Sequence, residues 1–149
     1  MRAVVQRVRC ARIEVAGACV GEMQAGLLAL VGVGLGDDEA HAAELARRLV
    51  GLRVFDDGAG RMNRSLLDAG GTLGVVSQFT LFGDTRSGRR PSYARAAPAA
   101  KAAPLVEAVA AAARAHGVAV VGGRFGAEMQ VYLVNDGPVT LLLDTEKVF

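Results

Sequence analysis

Gly74-Val75-Val76-Ser77-Gln78-Phe79-Thr80-Leu81-Phe82 is the stretch around which the rest of the chain is organised. Its ends are apolar and its valines are β-branched, as expected of a buried strand, but three hydrogen-bonding side chains, Ser77, Gln78 and Thr80, interrupt it. Strand alternation would place Ser77 and Phe79 on one face and Gln78 and Thr80 on the other. Buried hydroxyls and amides cost free energy unless they find partners. The cluster therefore indicates a functional site, or a strand end whose hydroxyls cap a turn before Gly83.

A second polar stretch, Asn135-Asp136-Gly137-Pro138-Val139-Thr140, separates two strand-like runs at residues 129–134 and 139–143. Asn, Asp, Gly and Pro are the residues that form turns most readily, so a simple hairpin turn is one interpretation. Proline is also tolerated at the start of a strand, and Gly-Pro is a candidate for a cis peptide bond. On its own, this motif does not decide between a turn and a functional segment.

Together the two stretches resemble the two signature motifs of the D-aminoacyl-tRNA deacylase family. Other family-like segments follow in the same order and spacing, and they extend the resemblance over essentially the whole chain: Met1-Arg2-Ala3-Val4-Val5-Gln6-Arg7-Val8, Gly26-Leu27-Leu28, Arg61-Met62-Asn63, Arg90-Pro91-Ser92 and Gly123-Arg124-Phe125-Gly126-Ala127-Glu128-Met129. Each segment is a weak signal alone, whereas the ordered set is specific. The resemblance implies hydrolysis of the ester that joins a D-amino acid to the 3′ adenosine of tRNA.

For the chemistry, the resemblance points to Ser77, Gln78, Phe79 and Thr80. Ester hydrolysis needs an attack on the carbonyl and stabilisation of the developing oxyanion. Backbone amides around Phe79 and Thr80 could polarise the carbonyl while the protein positions an ester that is already reactive and carries a neighbouring 2′-hydroxyl. Thr80 is the candidate for a direct role, as nucleophile or as positioning group. No obvious base accompanies it, which favours the positioning role.

For chirality, the resemblance implies that backbone carbonyls at Gly137 and Pro138 read the groups around the α-carbon. An L-amino acid would clash with them, so selection works by exclusion. Glycine has no side chain to exclude, and glycyl-tRNA is therefore expected as a secondary substrate. In the family, the Gly-Pro segment enters the partner's site, which implies an obligatory homodimer.

The charge of the chain is mild overall but uneven. The formal net charge is only +2, yet residues 84–101 carry five basic side chains against Asp84 alone. Arg89 and Arg90 lie in the middle of this segment and are the candidate contacts to tRNA phosphates. Such clusters are also typical of a solvated face, and the charge alone does not diagnose nucleic-acid binding.

Length and composition indicate one domain spanning residues 1–149, with 52% hydrophobic residues to build its core. No apolar run approaches the roughly 20 residues of a spanning helix, and no signal-peptide pattern is present, so we expect a cytoplasmic protein without membrane contact. Cys10 and Cys19 form no C-x-x-C pair, and His41 and His116 are isolated. The sequence therefore predicts neither a metal site nor a cofactor.

The pattern of elements predicts an α+β fold with a mostly antiparallel sheet and two main helices. Residues 1–8 and 11–15 are predicted as paired strands, and residues 26–33 as a strand buried on both faces. The helices are predicted at residues 39–49 and 105–116, with Asp37 and Asp38 at the start of the first and Pro98 and Pro104 before the second. The family resemblance adds that the sheet is small and barrel-like.

Two other function classes remain open at this point. Gly32, Gly34 and Gly36 follow a strand and precede a helix, and Asp56 comes 20 residues later, which resembles a dinucleotide fingerprint and would indicate a nicotinamide-dependent oxidoreductase. The third glycine, however, comes one residue early, and Asp37 and Asp38 would repel a pyrophosphate. A non-catalytic RNA-binding dimer would explain the basic segment, although it has no need of the polar cluster at residues 77–80.

Overall fold

The computed structural model describes residues 1–148, whose main sheet is mixed, has six strands and is covered on one face by helices. The strands are β1 (Arg2–Val15), β2 (Ala18–Met23), β3 (Gly26–Gly32), β4 (Phe55–Asp56), β5 (Met62–Arg64), β6 (Thr72–Ser77), β7 (Ala119–Gly122) and β8 (Gln130–Asp144). The α-helices are α1 (Glu39–Gly51), α2 (Leu66–Ala69) and α3 (Ala99–Ala115). The α+β class with two main helices is confirmed, with α2 as a short addition.

The sheet curls until it nearly closes. Its order is β2-β1-β3-β6-β7, β8 pairs with β1, and β4 and β5 form a separate hairpin. The pairings β3–β6 and β6–β7 are parallel, whereas β1 is antiparallel to each of its partners. At the closing seam, a Cβ on Gly21 of β2 would stand 2.6 Å from the carbonyl oxygen of Gly122 in β7. Glycine at position 21 therefore permits the approach that gives the barrel-like shape.

The prediction of two paired strands at the start of the chain is wrong, because residues 2–15 form the single strand β1. Its first half pairs with β3 and its second half with β2, while β8 follows it along the other edge. Buried residues alternate at Ala3 and Val5 and again at Ala11 and Ile13, but Val8 falls out of phase. Register shifts against β8 on both sides of Val8 absorb this change of phase.

The buried strand predicted at residues 26–33 is confirmed as β3. Alternate residues of β3 face two different cores: Leu27, Ala29 and Val31 pack under α1 and α3, whereas Leu28 packs inside the curled sheet. A continuous apolar strand is what a position covered on both faces requires. Because α1 and α3 connect β3 to β6 and β6 to β7, the parallel strands end at the same edge of the sheet.

The two main helices differ in how well their starts were predicted from the sequence. Asp38 caps α1 as predicted, and its carboxylate accepts from the His41 N–H at 3.1 Å. Helix α3 begins six residues earlier than predicted: Pro98 is its N-cap and Pro104 lies inside it. Apolar contacts of Ala102 and Leu105 with the core hold this first part of α3 against the sheet. No helix among residues 1–148 is both long enough and apolar enough to span a membrane.

Candidate active site

The polar cluster lies where β6 leaves the sheet. The strand ends at Ser77, and residues Phe79–Phe82 form a 3-10 turn. The expected alternation of Ser77 and Phe79 against Gln78 and Thr80 is therefore wrong beyond Ser77. The ladder with β3 reaches only to the pair Val31–Ser77, and the Gln78 N–H makes the final bond to the Val31 carbonyl at 2.7 Å. Because the chain has no further strand partner, it leaves the sheet here and forms the turn.

The 3-10 turn begins without a side-chain cap. The first N–H groups of a helix have no partner inside it, and Gln78 at the N-cap position supplies no side-chain hydrogen bond. Phe79 and Thr80, the first two residues of the turn, are exposed. The other end is closed, because the Gly83 N–H donates to the Thr80 carbonyl at 2.9 Å. The turn therefore presents backbone donors toward solvent at its start.

Two polar side chains of the cluster, those of Gln78 and Thr80, contact each other rather than a base. The Gln78 amide Nε2 donates to the Thr80 hydroxyl oxygen. Both histidines are engaged elsewhere: His41 contacts Asp38 at the start of α1, and His116 is the C-cap of α3. Among the described residues, no side chain is placed to accept the Thr80 proton.

A cavity of about 430 Å³ opens beside the cluster. It lies between the ends of β3 and β6, helix α3 and the segment that leads into β8. Ser77, Gln78 and Phe79 form one wall, and the remaining lining is largely apolar, with Val106 of α3, Phe125 and Met129 among it. The cavity gives the polar cluster a partly water-excluded space in which a small organic group fits.

The basic segment forms a closed loop next to the turn. Asp84 and Ser92 exchange two backbone hydrogen bonds, at 2.8 and 2.9 Å, across its neck. Arg86 binds the Asp84 carboxylate through its side chain and its backbone N–H, and these bonds hold the pKa of Asp84 well below its usual value. Arg89 and Arg90 are exposed, and neither forms an ion pair or hydrogen bond within residues 1–148. Two cations are thus free to meet an anionic partner.

The second motif is a continuation of a strand, so the hairpin-turn interpretation is wrong. Residues 130–144 form β8, which is antiparallel to β1 on both sides of the motif. Within the motif β8 bulges, because Asn135 pairs with Val8 and Thr140 with Gln6, so residues 136–139 stand opposite Arg7 alone. The Gly137–Pro138 bond is cis, and both residues are exposed. Asn135 spans the segment, since its Oδ1 accepts from the Val139 N–H at 2.8 Å and its Nδ2 donates to the Val139 carbonyl at 3.1 Å. On the other side, Arg7 donates to the Asp136 carbonyl at 2.8 Å.

Within one chain the two motifs remain apart. In the sheet order, β8 lies on one side of β1, whereas β6 lies on the other side beyond β3. The turn after β6 contacts Arg2, whose guanidinium donates to the Leu81 carbonyl at 3.2 Å; the Gly-Pro segment is held by Asn135 and Arg7. No hydrogen bond, ion pair or ring contact joins the two motifs in the described part of the chain.

The glycine-rich loop after β3 serves packing. A Cβ on Gly34 would stand 2.8 Å from the ring of Phe82, and one on Gly32 would stand 3.1 Å from it. The buried Asp37 carboxylate accepts from the Gly34 N–H at 2.6 Å and from the Met1 ammonium at 2.5 Å. The space and the N–H group that a pyrophosphate would use are therefore occupied by Phe82 and Asp37. This arrangement disfavours the nicotinamide-dependent interpretation.

Three residues near the motifs received no role from the sequence. Arg7 and Phe125 lie within family-like segments, but the sequence does not show that one braces the Gly-Pro segment and the other lines the cavity. Tyr93 directly follows Arg90-Pro91-Ser92, and its ring packs edge-to-face on Phe79. Their positions within or directly after family-like segments could have marked all three residues as candidates. Their contacts depend on the tertiary structure and are not visible in the sequence.

Comparison with known proteins assigns the family. The family model described as D-Tyr-tRNA(Tyr) deacylase matches residues 4–144. A D-aminoacyl-tRNA deacylase of Roseiflexus castenholzii is 59% identical over 145 residues, covering 97% of this chain and 92% of that protein. One of Thermosipho africanus is 54% identical over the full length of both chains.

Two solved structures extend the comparison. The c-Myc DNA unwinding element binding protein superposes with a TM-score of 0.91 at 34% identity, covering 97% of this chain and 99% of its own. A probable eukaryotic D-amino acid tRNA deacylase shares the fold, with a TM-score of 0.78 at 15% identity over 95% of this chain and 97% of its own. By the match along residues 4–144 and these relatives, the chain belongs to the D-Tyr-tRNA(Tyr) deacylase family.

Proposed function

We propose that this protein is a hydrolase that cleaves the ester bond of D-aminoacyl-tRNA and releases the free D-amino acid and tRNA. The observation that carries the proposal, together with family membership, is the position of the polar cluster. Ser77, Gln78 and Phe79 line a cavity of about 430 Å³, and Thr80 follows them directly, beside a loop with two unpaired arginines. The cavity suits the small reacting end of the substrate, and the loop suits its phosphates. The proposed place of action is the cytoplasm.

The chemistry rests on donors already in position rather than on a side-chain nucleophile. The uncapped N–H groups of Phe79 and Thr80 would bind the carbonyl oxygen as negative charge develops on it. Gln78 holds the Thr80 hydroxyl, which then positions the ester beside them, and Ser77 lines the cavity. The substrate's 2′-hydroxyl lies next to the ester and would assist the attack of water. Thr80 is assigned the positioning role because no base faces it.

Chiral selection is assigned to Gly137 and Pro138 of a second copy of the chain. Both residues are exposed and are braced from behind by Asn135 and Arg7. Their carbonyl groups would approach the α-carbon and exclude an L side chain by steric clash. Glycine would escape this exclusion, and so glycyl-tRNA is proposed as a secondary substrate.

A homodimer is part of the proposal. The two motifs do not meet within one chain, so a second copy has to bring the Gly-Pro segment to the polar cluster. Strand β8 is suited to this, because among the described strands it pairs only with β1, and it carries exposed apolar side chains. These are Tyr132, Val134, Leu141 and Leu142. An exposed apolar edge strand is a ready surface for association.

The activity is tested by a deacylation assay with matched D- and L-aminoacyl-tRNA and with glycyl-tRNA. We expect rapid hydrolysis of the D-ester, slower hydrolysis of the glycyl ester and little hydrolysis of the L-ester, unchanged by a chelator or by added nicotinamide cofactor. Equal rates on the two enantiomers, or loss of activity with the chelator, would refute the proposal. Tight tRNA binding without turnover would instead favour the non-catalytic nucleic-acid-binding interpretation.

The shared site is tested by mixing two variants that are each inactive for a different reason. Phe79→Pro removes a donor from the polar cluster, and Gly137→Ala disturbs the chiral segment. Co-refolded at equal amounts, half of the dimers would be mixed and each would hold one intact site, so about a quarter of wild-type activity should return. If no activity returns although mixed dimers form, the Gly-Pro segment does not act in the partner's site.

A further inference from the structure

The Phe79 side chain packs mainly against Tyr93 and little against the core. Tyr93 directly follows the loop at residues 84–92, called the basic loop here, which carries Arg89 and Arg90. As the first residue of the 3-10 turn, it carries one of the N–H groups assigned to the ester carbonyl, yet its side chain is 57% exposed. The aromatic contact of its ring is with Tyr93, at 5.0 Å between centroids and 69° between planes. Such an edge-to-face arrangement is favourable beyond the area that it buries. The position of the 3-10 turn Phe79–Phe82, called the catalytic turn here, therefore depends on a residue outside it.

Tyr93 contacts the turn at both ends. Its ring meets Phe79 at the start, and at the other end a Cβ on Gly83 would stand 3.1 Å from Tyr93 Cε1. Gly83 is the residue whose N–H closes the turn on the Thr80 carbonyl. A side chain at position 83 would push against the Tyr93 ring, so glycine there allows the ring to lie along the turn.

The backbone of Tyr93 is fixed by the loop that carries the unpaired arginines. Ser92, its neighbour, forms the two hydrogen bonds with Asp84 that close the loop containing Arg89 and Arg90. On its other side, the Tyr93 carbonyl accepts from the Ala96 N–H at 2.9 Å. The Tyr93 ring is thus attached to the proposed tRNA-binding loop and rests on the proposed catalytic turn.

We propose that Tyr93 is a positioning residue that couples the basic loop to the catalytic turn through the ring of Phe79. A tRNA bound at Arg89 and Arg90 would hold the loop, and Tyr93 would hold the Phe79 and Thr80 N–H groups in the geometry that binds the developing oxyanion. This inference rests on the proposed function, since it describes how the same site is organised. The Tyr93 hydroxyl has no hydrogen-bond partner in the described structure, so the ring alone carries the effect.

The test compares Tyr93→Ala with Tyr93→Phe in single-turnover hydrolysis of D-aminoacyl-tRNA at saturating enzyme. Loss of one edge-to-face contact should lower the rate of the chemical step roughly 3- to 10-fold in Tyr93→Ala, with tRNA affinity within about twofold of wild type. Tyr93→Phe keeps the ring and should retain wild-type rates. Leu67→Ala truncates a comparably exposed apolar side chain on α2 and serves as the control for general surface effects.

A double-mutant cycle with Phe79→Leu identifies the route of the effect. Phe79→Leu alone should cause a similar loss, and adding Tyr93→Ala should cause little more, because both changes remove the same contact. Losses that multiply, a defect in Tyr93→Phe equal to that in Tyr93→Ala, or a change in tRNA affinity alone would overturn the proposal.

An activity-independent measurement separates this inference from the proposed function. Amide chemical shifts and hydrogen exchange of Phe79 and Thr80 should change in Tyr93→Ala and not in Tyr93→Phe or Leu67→Ala. If the wild type fails to hydrolyse D-aminoacyl-tRNA but these amides respond as expected, the proposed function fails and the positioning role stands. If the wild type is active and the amides do not respond, the positioning role fails.

Discussion

The two family motifs both interrupt an apolar strand with polar residues, but the backbone conformation that follows differs between them. After Ser77, β6 has no further partner, so the chain forms a 3-10 turn held largely by backbone hydrogen bonds. At residues 136–139, β8 bulges away from β1 but pairs with it again at Thr140, and side chains hold the bulge, Asn135 from within and Arg7 from β1. A strand partner beyond the polar interruption therefore decides whether the strand ends, as β6 does, or resumes, as β8 does. The comparison also predicts that backbone changes will affect the first motif and side-chain changes the second.

The largest effect is expected where the first motif depends on its backbone. Phe79→Pro removes the N–H group at the first position of the turn, where proline is sterically tolerated. Loss of one oxyanion donor should lower kcat about 10²- to 10³-fold. Phe79→Leu keeps the N–H and should lose only several-fold. Near-equal kcat values for the two variants would show that the Phe79 side chain, and not its backbone, matters.

Gly137→Ala tests the second motif by changing its shape. Gly137 has a φ of +152°, and an added Cβ would stand 2.7 Å from both the backbone nitrogen and a side-chain methyl of Val139. A shift of the segment by about 1 Å should reduce hydrolysis of D-aminoacyl-tRNA about 100-fold and reduce the preference for D over L. Gly58→Ala, in an exposed loop with nothing within 4 Å of the added Cβ, is the matched control. An unchanged D-to-L ratio would remove Gly137 from chiral selection.

Asn135→Ala and Gln78→Ala compare how the two motifs are held. Asn135 bonds the Val139 backbone and the Gln6 side chain, and its removal leaves partly buried groups unpaired. We expect a loss of about 1–3 kcal/mol in unfolding free energy and a fall in Tm of roughly 2–10 °C. Among the described residues, the Gln78 side chain hydrogen-bonds only the exposed Thr80 hydroxyl, so its removal should change Tm little. Thermal unfolding of the two variants side by side gives the answer, and a larger effect for Gln78→Ala would reverse the comparison.

Thr80→Ala should reduce kcat only about fivefold, because a positioning hydrogen bond is worth about 1 kcal/mol. A 2′-deoxy substrate should lose far more with the wild-type enzyme, since the 2′-hydroxyl assists the attack. If Thr80 were the nucleophile, Thr80→Ala would remove nearly all activity and Thr80→Ser would retain a good part of it. Mass spectrometry of quenched reactions would then detect an aminoacyl group on Thr80.

The smallest effect is expected from the loop beside the first motif. Replacing Arg89 and Arg90 by Gln should weaken tRNA binding several-fold and lower the slope of log affinity against log salt by about 2, through the loss of two phosphate contacts. Binding titrations at several salt concentrations measure both quantities. Arg47→Gln removes an exposed charge from α1 and should leave the slope unchanged. An unchanged slope in the double variant would mean that the loop is only a solvated face.

The family resemblance located both motifs, but their conformations were predicted less well. The residue types of Ser77 to Thr80 do not reveal whether the strand continues or ends. It ends because the neighbouring strands β3 and β7 offer no further pairing. Pro104 suggested a helix start, yet the contacts of Ala102 and Leu105 with the core keep the preceding turn of α3 helical. Gly32, Gly34 and Gly36 resembled a phosphate loop, since spacing alone does not reveal that Phe82 and Asp37 fill the space.

By itself, the sequence determined the fold class, the strand buried on both faces and the α1 cap, and its resemblance to the family located the two motifs. The first three features depend on residue type, periodicity and short-range hydrogen bonds, which are local along the chain. Only the tertiary structure decided that residues 2–15 form one strand with three partners, that the Gly-Pro segment continues β8, and that Tyr93 rests on Phe79. Each of these depends on contacts between residues far apart in sequence, where the packing of one element fixes the space left for another.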